Sequence, residues 1–337
     1  MTGSTVADGA TTGGATPGGP ALARPEPGTS VTVQVPATTA NLGPGFDTLG
    51  LALSIYDTLT VTVAAEPGIS VAVEGVGAGE VPTDGTNLVA RAVAEVFTEV
   101  GVPLPGLALA ARNTIPHGRG LGSSGAAIVS GIVAGAALLA DVEPLDADRL
   151  LAIATRMEGH PDNVAPALFG GLTIAWMTPE GPQHKKLLVH RGVSPLVLVP
   201  QHTMSTALAR SLQPESVPHE DAIFNVSRST LLIAALIQSP ELLLAATEDR
   251  LHQSYRASAM PETDRLIRLL RAAGHPAVVS GAGPSILVLA NDPGQRLAAA
   301  ELVAHQAELE WQALLPAVDI RGATVVAHSA PAHRASS

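Results

Sequence analysis

The chain contains no cysteine and only two lysines, Lys185 and Lys186, among its 337 residues. The first absence excludes a disulfide scaffold, a cysteine nucleophile and a thiolate metal site. The second excludes a P-loop, which needs a lysine directly after its last glycine to reach the phosphates. Aromatic residues make up 2% of the chain, too few for stacking platforms, and a formal net charge of -11 opposes any broad surface for a phosphate backbone. No nucleic-acid partner is expected. No apolar run reaches the roughly 18 to 20 residues of a membrane span. The longest, Ala126 to Ala140, carries two glycines and a serine and reads as a buried helix, so no membrane partner is expected either. The first residues lack the basic region and apolar core of a secretory signal, which makes the cytoplasm the expected location.

What is present is enough for a large core: 46% of the residues are hydrophobic, and the length suits two ordinary domains or one large one. Residues 1–29 are mostly Gly, Thr, Ala, Pro and Ser without periodicity and read as a disordered tail. Val31, Val33 and Val35 then alternate with polar residues as in a half-buried strand that runs into a Gly/Pro/Asn loop at 40–45. Strand patterns follow at 51–63, 69–73 and 107–111, a helix near 87–100, and a glycine-rich stretch leading into the helix that ends near Ala140. The second half shows a strand at 196–199, helices near 206–212, 222–237 and 263–273, paired strands around Val278 and Leu287, a helix near 296–310 and a strand near 320–327. Strands and helices mix without a strict βαβ rhythm, which predicts an α+β fold. The pattern breaks between Thr173 and Gly192, at Trp176, Pro179, Gly181 and the two lysines. That break divides the chain into 30–175 and 176–330.

The segment from Pro116 to Ala126 places Gly118, Arg119, Gly120, Leu121, Gly122, Ser123, Ser124 and Gly125 directly before the apolar helix. Glycines let the backbone close on an anion, successive N–H groups converge on it, and the helix start adds about half a positive charge. The serine hydroxyls can donate to phosphate or ligate Mg²⁺. Gly120, Gly122 and Gly125 also match G-x-G-x-x-G, but a dinucleotide site requires a strand running into the first glycine, and Asn113 to Arg119 intervene. A turn that merely lets a helix pack closely would not call for two serines beside Arg119.

This segment resembles the phosphate loop of the small-molecule kinases that include galactokinase, homoserine kinase, mevalonate kinase and phosphomevalonate kinase, with the pattern P-x-x-x-G-L-G-S-S-[AG]-A. Two further segments, Val35 to Gly50 and Glu158 to Gly171, resemble the homoserine kinases within that superfamily, and Val279 to Ser285 resembles its C-terminal glycine motif. The likeness runs in order from about Val31 to Ala327. It implies a two-domain α+β fold with the active site in the cleft between an N-terminal, ATP-binding domain and a C-terminal domain, and phosphorylation of the side-chain hydroxyl of L-homoserine towards threonine. It implies ATP and Mg²⁺ as cofactors and a homodimer.

Carried over residue by residue, the resemblance assigns Mg²⁺ to Ser124 and Glu158, phosphate to Ser123 and the loop from Pro116 to Ala126, and adenine to Asn87, Leu88 and Val89. Asn87 equally suits a helix cap, and Glu158 a solvated helix end. A zwitterionic substrate needs an anion for its ammonium and a cation for its carboxylate. Asp47 supplies the first, and Arg210 and Arg256 the second by bidentate pairing. Thr206 and Arg210, four apart, share a helix face. His160 and Asn163 complete the substrate set, with Asn41 beside Asp47 in the first loop; Asn41 and Asp47 are also ordinary turn residues, and the arginines ordinary surface residues. Mevalonate-type relatives use an Asp as base, and Asp162 occupies a similar place. Homoserine kinases are thought to lack a well-placed carboxylate base, so Asn163 is taken to position the hydroxyl and Asp162 to stabilise the fold. The rivals are a kinase for mevalonate, whose first motif carries a lysine missing here, or for shikimate, a nicotinamide-dependent oxidoreductase, and a non-catalytic ligand sensor.

Overall fold

The computed structural model describes residues 24–329. The first 23 residues of the segment read as a tail lie outside them. From Gly28 the backbone is already paired, with Gly28 N donating to Val63 O and Val63 N to Thr29 O. Backbone amides pair whatever their side chains, so order starts earlier than the valine alternation indicates.

The first half builds one sheet. Its elements are β1 (Ser30–Asn41), β2 (Gly45–Val63), β3 (Ile69–Gly75), α1 (Leu88–Val100), β4 (Leu107–Asn113), α2 (Ser123–Leu138), α3 (Ala147–Glu158), α4 (Pro161–Phe169), β5 (Leu172–Thr178) and β6 (Gly181–Leu187). β2 is long enough to serve two partners. Its Thr58–Val63 end pairs antiparallel with β4, and its Leu49–Leu51 end with β5. β3 and β4 run parallel, as the α1 crossover between them requires. Val31, Val33 and Val35 all point into the core beneath α1 and α2. The helix over 126–140 is buried, with Gly131 so close to α1 that a Cβ there would lie 2.6 Å from Ala92 Cβ.

The second half contributes β7 (Ser194–Pro200), α5 (Thr206–Ser211), α6 (His219–Ile237), α7 (Leu243–Ala246), α8 (Gln253–Arg256), α9 (Pro261–Ala272), β8 (Ala277–Val279), β9 (Ile286–Ala290), α10 (Pro293–Gln306), β10 (Trp311–Leu314) and β11 (Thr324–Ser329). Four strands form an antiparallel sheet in the order β10-β7-β9-β8. β7 is buried on both faces: Leu196 and Leu198 pack with α9 and α10, while Val197 and Val199 join the main core. That explains an apolar run where a one-faced strand would alternate.

The division at 175/176 does not follow the sheets. β5 and β6 form a hairpin, Leu172 to Leu187, in the first sheet, and β11 returns to pair with β1. The stretch read as a break is this hairpin. Pro179 and Glu180 make its turn, and Trp176, Met177 and Lys185 are exposed on its strands. Among the described residues, no helix is long and apolar enough to cross a membrane.

Candidate active site

The glycine-rich segment links β4 to α2 and turns through three left-handed residues, Gly118, Gly120 and Gly122, with φ of 63°, 71° and 67°. Gly120 is also a point of contact between the two halves of the chain. A Cβ there would lie 2.0 Å from Ser280 O, and Ser280 Oγ donates to Gly120 O at 2.6 Å. The loop thus lies backbone to backbone on the second glycine motif, Ser280 to Gly283. Gly122 stands at the N-cap of α2 without a side-chain cap bond, so the first amides of α2 remain open to an anion.

Of the loop residues, Gly118, Gly120, Gly122, Ser123 and Ser124 line the cleft. Pro116, Arg119, Leu121, Gly125 and Ala126 do not. Arg119 turns away from the cleft: Nε donates to Pro200 O at 2.9 Å, Nη1 to His117 O at 3.1 Å, and Nη2 to Gln201 O. Its role is to fasten the loop to the end of β7. Leu121 and Ala126 are buried in the core, and Gly125 lets α4 approach, with Asn163 Cβ 3.4 Å from where its own Cβ would be.

Two cavities meet at Ser123 and Ser124. One, of about 230 Å³, is walled by Val73, Val81, Pro82, Leu88, Val89, Ala111 and Ala127, with Asn87 at its side. Asn87 caps α1: its Oδ1 accepts from Val89 N at 3.0 Å and its Nδ2 donates to Pro82 O at 2.6 Å. Both ends of the carboxamide are engaged, so Asn87 shapes the cavity wall. Asp57, Asn113 and His117 also face this space and were not anticipated. Asp57 reads in sequence as one polar residue in an alternating strand. In the fold it accepts from Thr114 N and Ile115 N, and burial raises its pKa against those two bonds.

The other cavity, of about 200 Å³, gathers side chains from both halves of the chain. Glu158 ends α3, the left-handed Gly159 stops the helix, and Pro161 starts α4. This tight link brings Glu158, His160, Asp162 and Asn163 to one place. Ser124 Oγ donates to Glu158 Oε2 at 2.8 Å. Burial raises the Glu158 pKa, and the Ser124 hydrogen bond is the largest of the opposing influences. A hydroxyl and a carboxylate, both hard oxygens beside open helix amides, fit a Mg²⁺ ion that brings its remaining oxygens from phosphate and water. Among the described residues there is no cluster of three or more His, Asp or Glu that could hold a metal without such help.

His160 Nδ1 and Asp162 Oδ1 share a short hydrogen bond, which raises the imidazole pKa. Asp162 is buried, and Asn163 Oδ1 accepts from Thr38 Oγ1 at 3.0 Å. Opposite them, Asn41, Leu42 and Asp47 take left-handed conformations in the β1–β2 turn. Asn41 holds that turn together: its Oδ1 accepts from Asp47 N at 3.0 Å and its Nδ2 donates to Gly281 O at 2.8 Å. Asp47 and Arg210 form a two-pronged ion pair, with Nη1–Oδ2 of 3.2 Å and Nη2–Oδ1 of 3.1 Å. Thr206 opens α5 one turn before Arg210, and Ser205 caps that helix by accepting from Leu208 N. Arg256 is buried and donates from Nη1 to Gly281 O at 3.3 Å, with its guanidinium carbon 5.2 Å from the centre of the Phe46 ring. Phe46, Met204 and Ala209 line the same cavity and carry no sequence signal beyond apolarity.

Residues 87–171 match the model of the GHMP kinases N terminal domain and residues 232–308 that of the GHMP kinases C terminal domain. The homoserine kinase of Leifsonia xyli subsp. xyli is 75% identical over 88% of this chain and 92% of its own length. That of Clavibacter michiganensis subsp. michiganensis is 74% identical over 88% and 94%. In structure, homoserine kinase from Cytophaga hutchinsonii superposes with a TM-score of 0.79 at 25% identity, covering 88% of this chain and 97% of that one. Mevalonate kinase from L. major, solved with R-mevalonate, shares the fold at a TM-score of 0.64 and 16% identity over 88% of this chain and 99% of that one. With two α+β domains meeting at paired glycine motifs, and identities this high over nearly nine-tenths of its length, the chain belongs to the homoserine kinases of the GHMP kinase family.

Proposed function

We propose that the chain transfers the γ-phosphoryl group of ATP to the side-chain hydroxyl of L-homoserine, forming O-phospho-L-homoserine on the route to threonine. The observation that carries this reading is the meeting of two cavities at the start of α2: an apolar one that suits a purine and a charged one that suits a zwitterion, with Ser123 and Ser124 between them. Phosphoryl transfer asks a protein chiefly for alignment and charge neutralisation, and the residues divide along those lines. The amides of α2, the glycine loop and the Ser123 hydroxyl hold phosphate oxygens. Ser124 and Glu158 hold Mg²⁺, which when bound neutralises phosphate charge.

On the substrate side, Asp47 takes the ammonium, and Arg210 and Arg256 take the carboxylate. The internal Asp47–Arg210 pair supports this assignment, because the chain already satisfies each charge with the type of group the substrate would bring. Thr206 flanks the carboxylate position, and His160 and Asn163 bound the hydroxyl end. Asp162 is hydrogen-bonded to His160, so we assign it to holding that imidazole and Asn163 to orienting the hydroxyl. The hydroxyl oxygen forms the new bond to phosphorus as the β–γ bridge breaks and ADP leaves, and the hydroxyl proton passes to an oxygen of the transferred phosphoryl group and from there to water. The reading further includes a homodimer in the cytoplasm, to be checked by sedimentation and by fractionation of cells.

A coupled ADP-release assay against a panel of hydroxy amino acids and small alcohols tests the reading. ADP release that requires ATP, Mg²⁺ and L-homoserine is expected. Preference for mevalonate or shikimate, or binding of ATP without turnover of any alcohol, would overturn it.

A further inference from the structure

Behind the substrate cavity stands a histidine that does not line it. His252 is fully buried, just before α8 and four residues ahead of Arg256. Its Nε2 lies 2.7 Å from Gly43 O in the β1–β2 turn. A carbonyl oxygen only accepts, so the proton is on Nε2 and the imidazole donates across from the second half of the chain to the first. Nδ1 has no partner among the described residues. The ring stacks on Phe46 with centroids 4.7 Å apart and planes 17° from parallel. Phe46 therefore meets both His252 and the Arg256 guanidinium, and the residue that follows it is Asp47.

The turn is seated on the same segment by its backbone. Gly43 has φ of 87°, and a Cβ there would lie 2.6 Å from Thr247 O. The segment is itself rigid. The Asp249 carboxylate accepts from the amides of Leu251, His252 and Gln253 at 3.0, 3.1 and 2.8 Å. The charged groups around His252 are Asp249, with Oδ2 3.7 Å from Nε2, together with Arg256 and Asp47. Burial lowers the imidazole pKa and keeps the ring neutral.

We propose that His252 is a positioning residue for the amino-acid half of the site: by donating to Gly43 O and stacking on Phe46, it sets the separation between Asp47 and Arg256, the charges that face the two ends of the substrate zwitterion. The inference rests on the proposed homoserine kinase reaction. Wild-type turnover of L-homoserine with ATP tests that reaction first: its absence would overturn both readings, whereas turnover that the His252 variants leave unchanged would overturn the role of His252 alone.

Given that turnover, the decisive comparison is His252→Leu against His252→Gln, because the glutamine amide can place a donor close to where Nε2 stands. His252→Leu should raise the KM for homoserine about tenfold, on the order of one lost hydrogen bond, while the KM for ATP stays within about twofold. His252→Gln should recover most of that loss. Should His252→Leu fail to fold by circular dichroism, His252→Asn, whose amide falls short of Gly43 O, takes its place. An unchanged homoserine KM, equal rises in both KM values, or a glutamine variant no better than the shorter one would overturn the proposal.

Discussion

Replacing Arg210 with alanine separates the energy of the internal ion pair from that of substrate binding. In the structure the guanidinium is matched on both prongs by Asp47, and the two side chains are 43% and 39% exposed. An ion pair so open to solvent contributes about 0 to 1 kcal/mol. A charge-assisted bond to the substrate carboxylate in a closed cleft contributes about 1.5 to 3 kcal/mol. Removing Arg210 loses the second contribution but also frees Asp47 from a competitor, so the net loss of binding is about 0.5 to 3 kcal/mol. That corresponds to a rise in the KM for homoserine of roughly twofold to 160-fold. Stability should fall by less than about 1 kcal/mol, since the pair is exposed. L-threonine carries the same ammonium and carboxylate, with its hydroxyl on the β-carbon, so it should compete with homoserine and react poorly. Initial rates with varied homoserine and fixed threonine read both quantities, and the inhibition constant for threonine should rise by the same factor as the KM. A noncompetitive pattern, or threonine inhibition untouched in Arg210→Ala, would mean that the clamp is misassigned.

At the phosphate end, Ser124→Ala and Glu158→Gln should each lower turnover by about two to three orders of magnitude with little change in melting temperature; near wild-type turnover of Glu158→Gln at limiting Mg²⁺ would remove the metal role. Asp162→Asn should be milder, and a loss as deep as that expected of a general base, about two to four orders of magnitude with binding intact, would make Asp162 the base. The His160–Asp162 bond also predicts a pH trend in stability. Because the imidazole pKa is raised in the fold, the contribution of the pair is complete below the ordinary value of 6.5 and is lost as pH rises through the folded value. The gap in melting temperature between wild type and Asp162→Asn should narrow over that range, and a widening gap would contradict the assignment. Gly120→Ala should destabilise the protein by more than about 2 kcal/mol, through a left-handed backbone and a clash with Ser280 O. Gly159→Ala, equally left-handed but facing open space, should cost about 1 kcal/mol, and similar melting temperatures for the two would show that the contact between the glycine motifs is not tight.

Which segments would meet at this site was legible in the sequence because their polar residues lie in local patterns. Glycines ahead of an apolar helix leave backbone amides that can face an anion, and those amides lie within a few residues of one another. The Gly/Pro/Asn loop after the first strand, the short link from Glu158 to Asn163, and Thr206 four residues before Arg210 are local in the same sense. The structure brings their polar side chains to one cavity. The α+β character followed from mixed periodicities for the same reason. The boundary was less legible: Pro179 and Gly181 punctuate a hairpin turn as readily as a linker, and only the pairing of β6 with β5 distinguishes them.

What the sequence could not determine is which partner each polar side chain chooses. Arg119 sits beside the phosphate loop in the chain, yet its carbonyl partners at Pro200 and Gln201 lie 81 and 82 residues away and draw it from the cleft. Asn41 and Asn87 are residue types that often contact ligands, but a bond within the local turn and a tertiary bond to Gly281 engage the two ends of Asn41, and a helix cap with a nearby carbonyl engages both ends of Asn87. His252 reads as one polar residue in an irregular stretch, and becomes informative only when Gly43, 209 residues earlier, is placed 2.7 Å from its ring. Residue type and spacing determine what a segment can bind, because those properties travel with the chain. Hydrogen-bond saturation and burial decide which of those capacities stay open to a ligand, and both arise only when distant segments pack together.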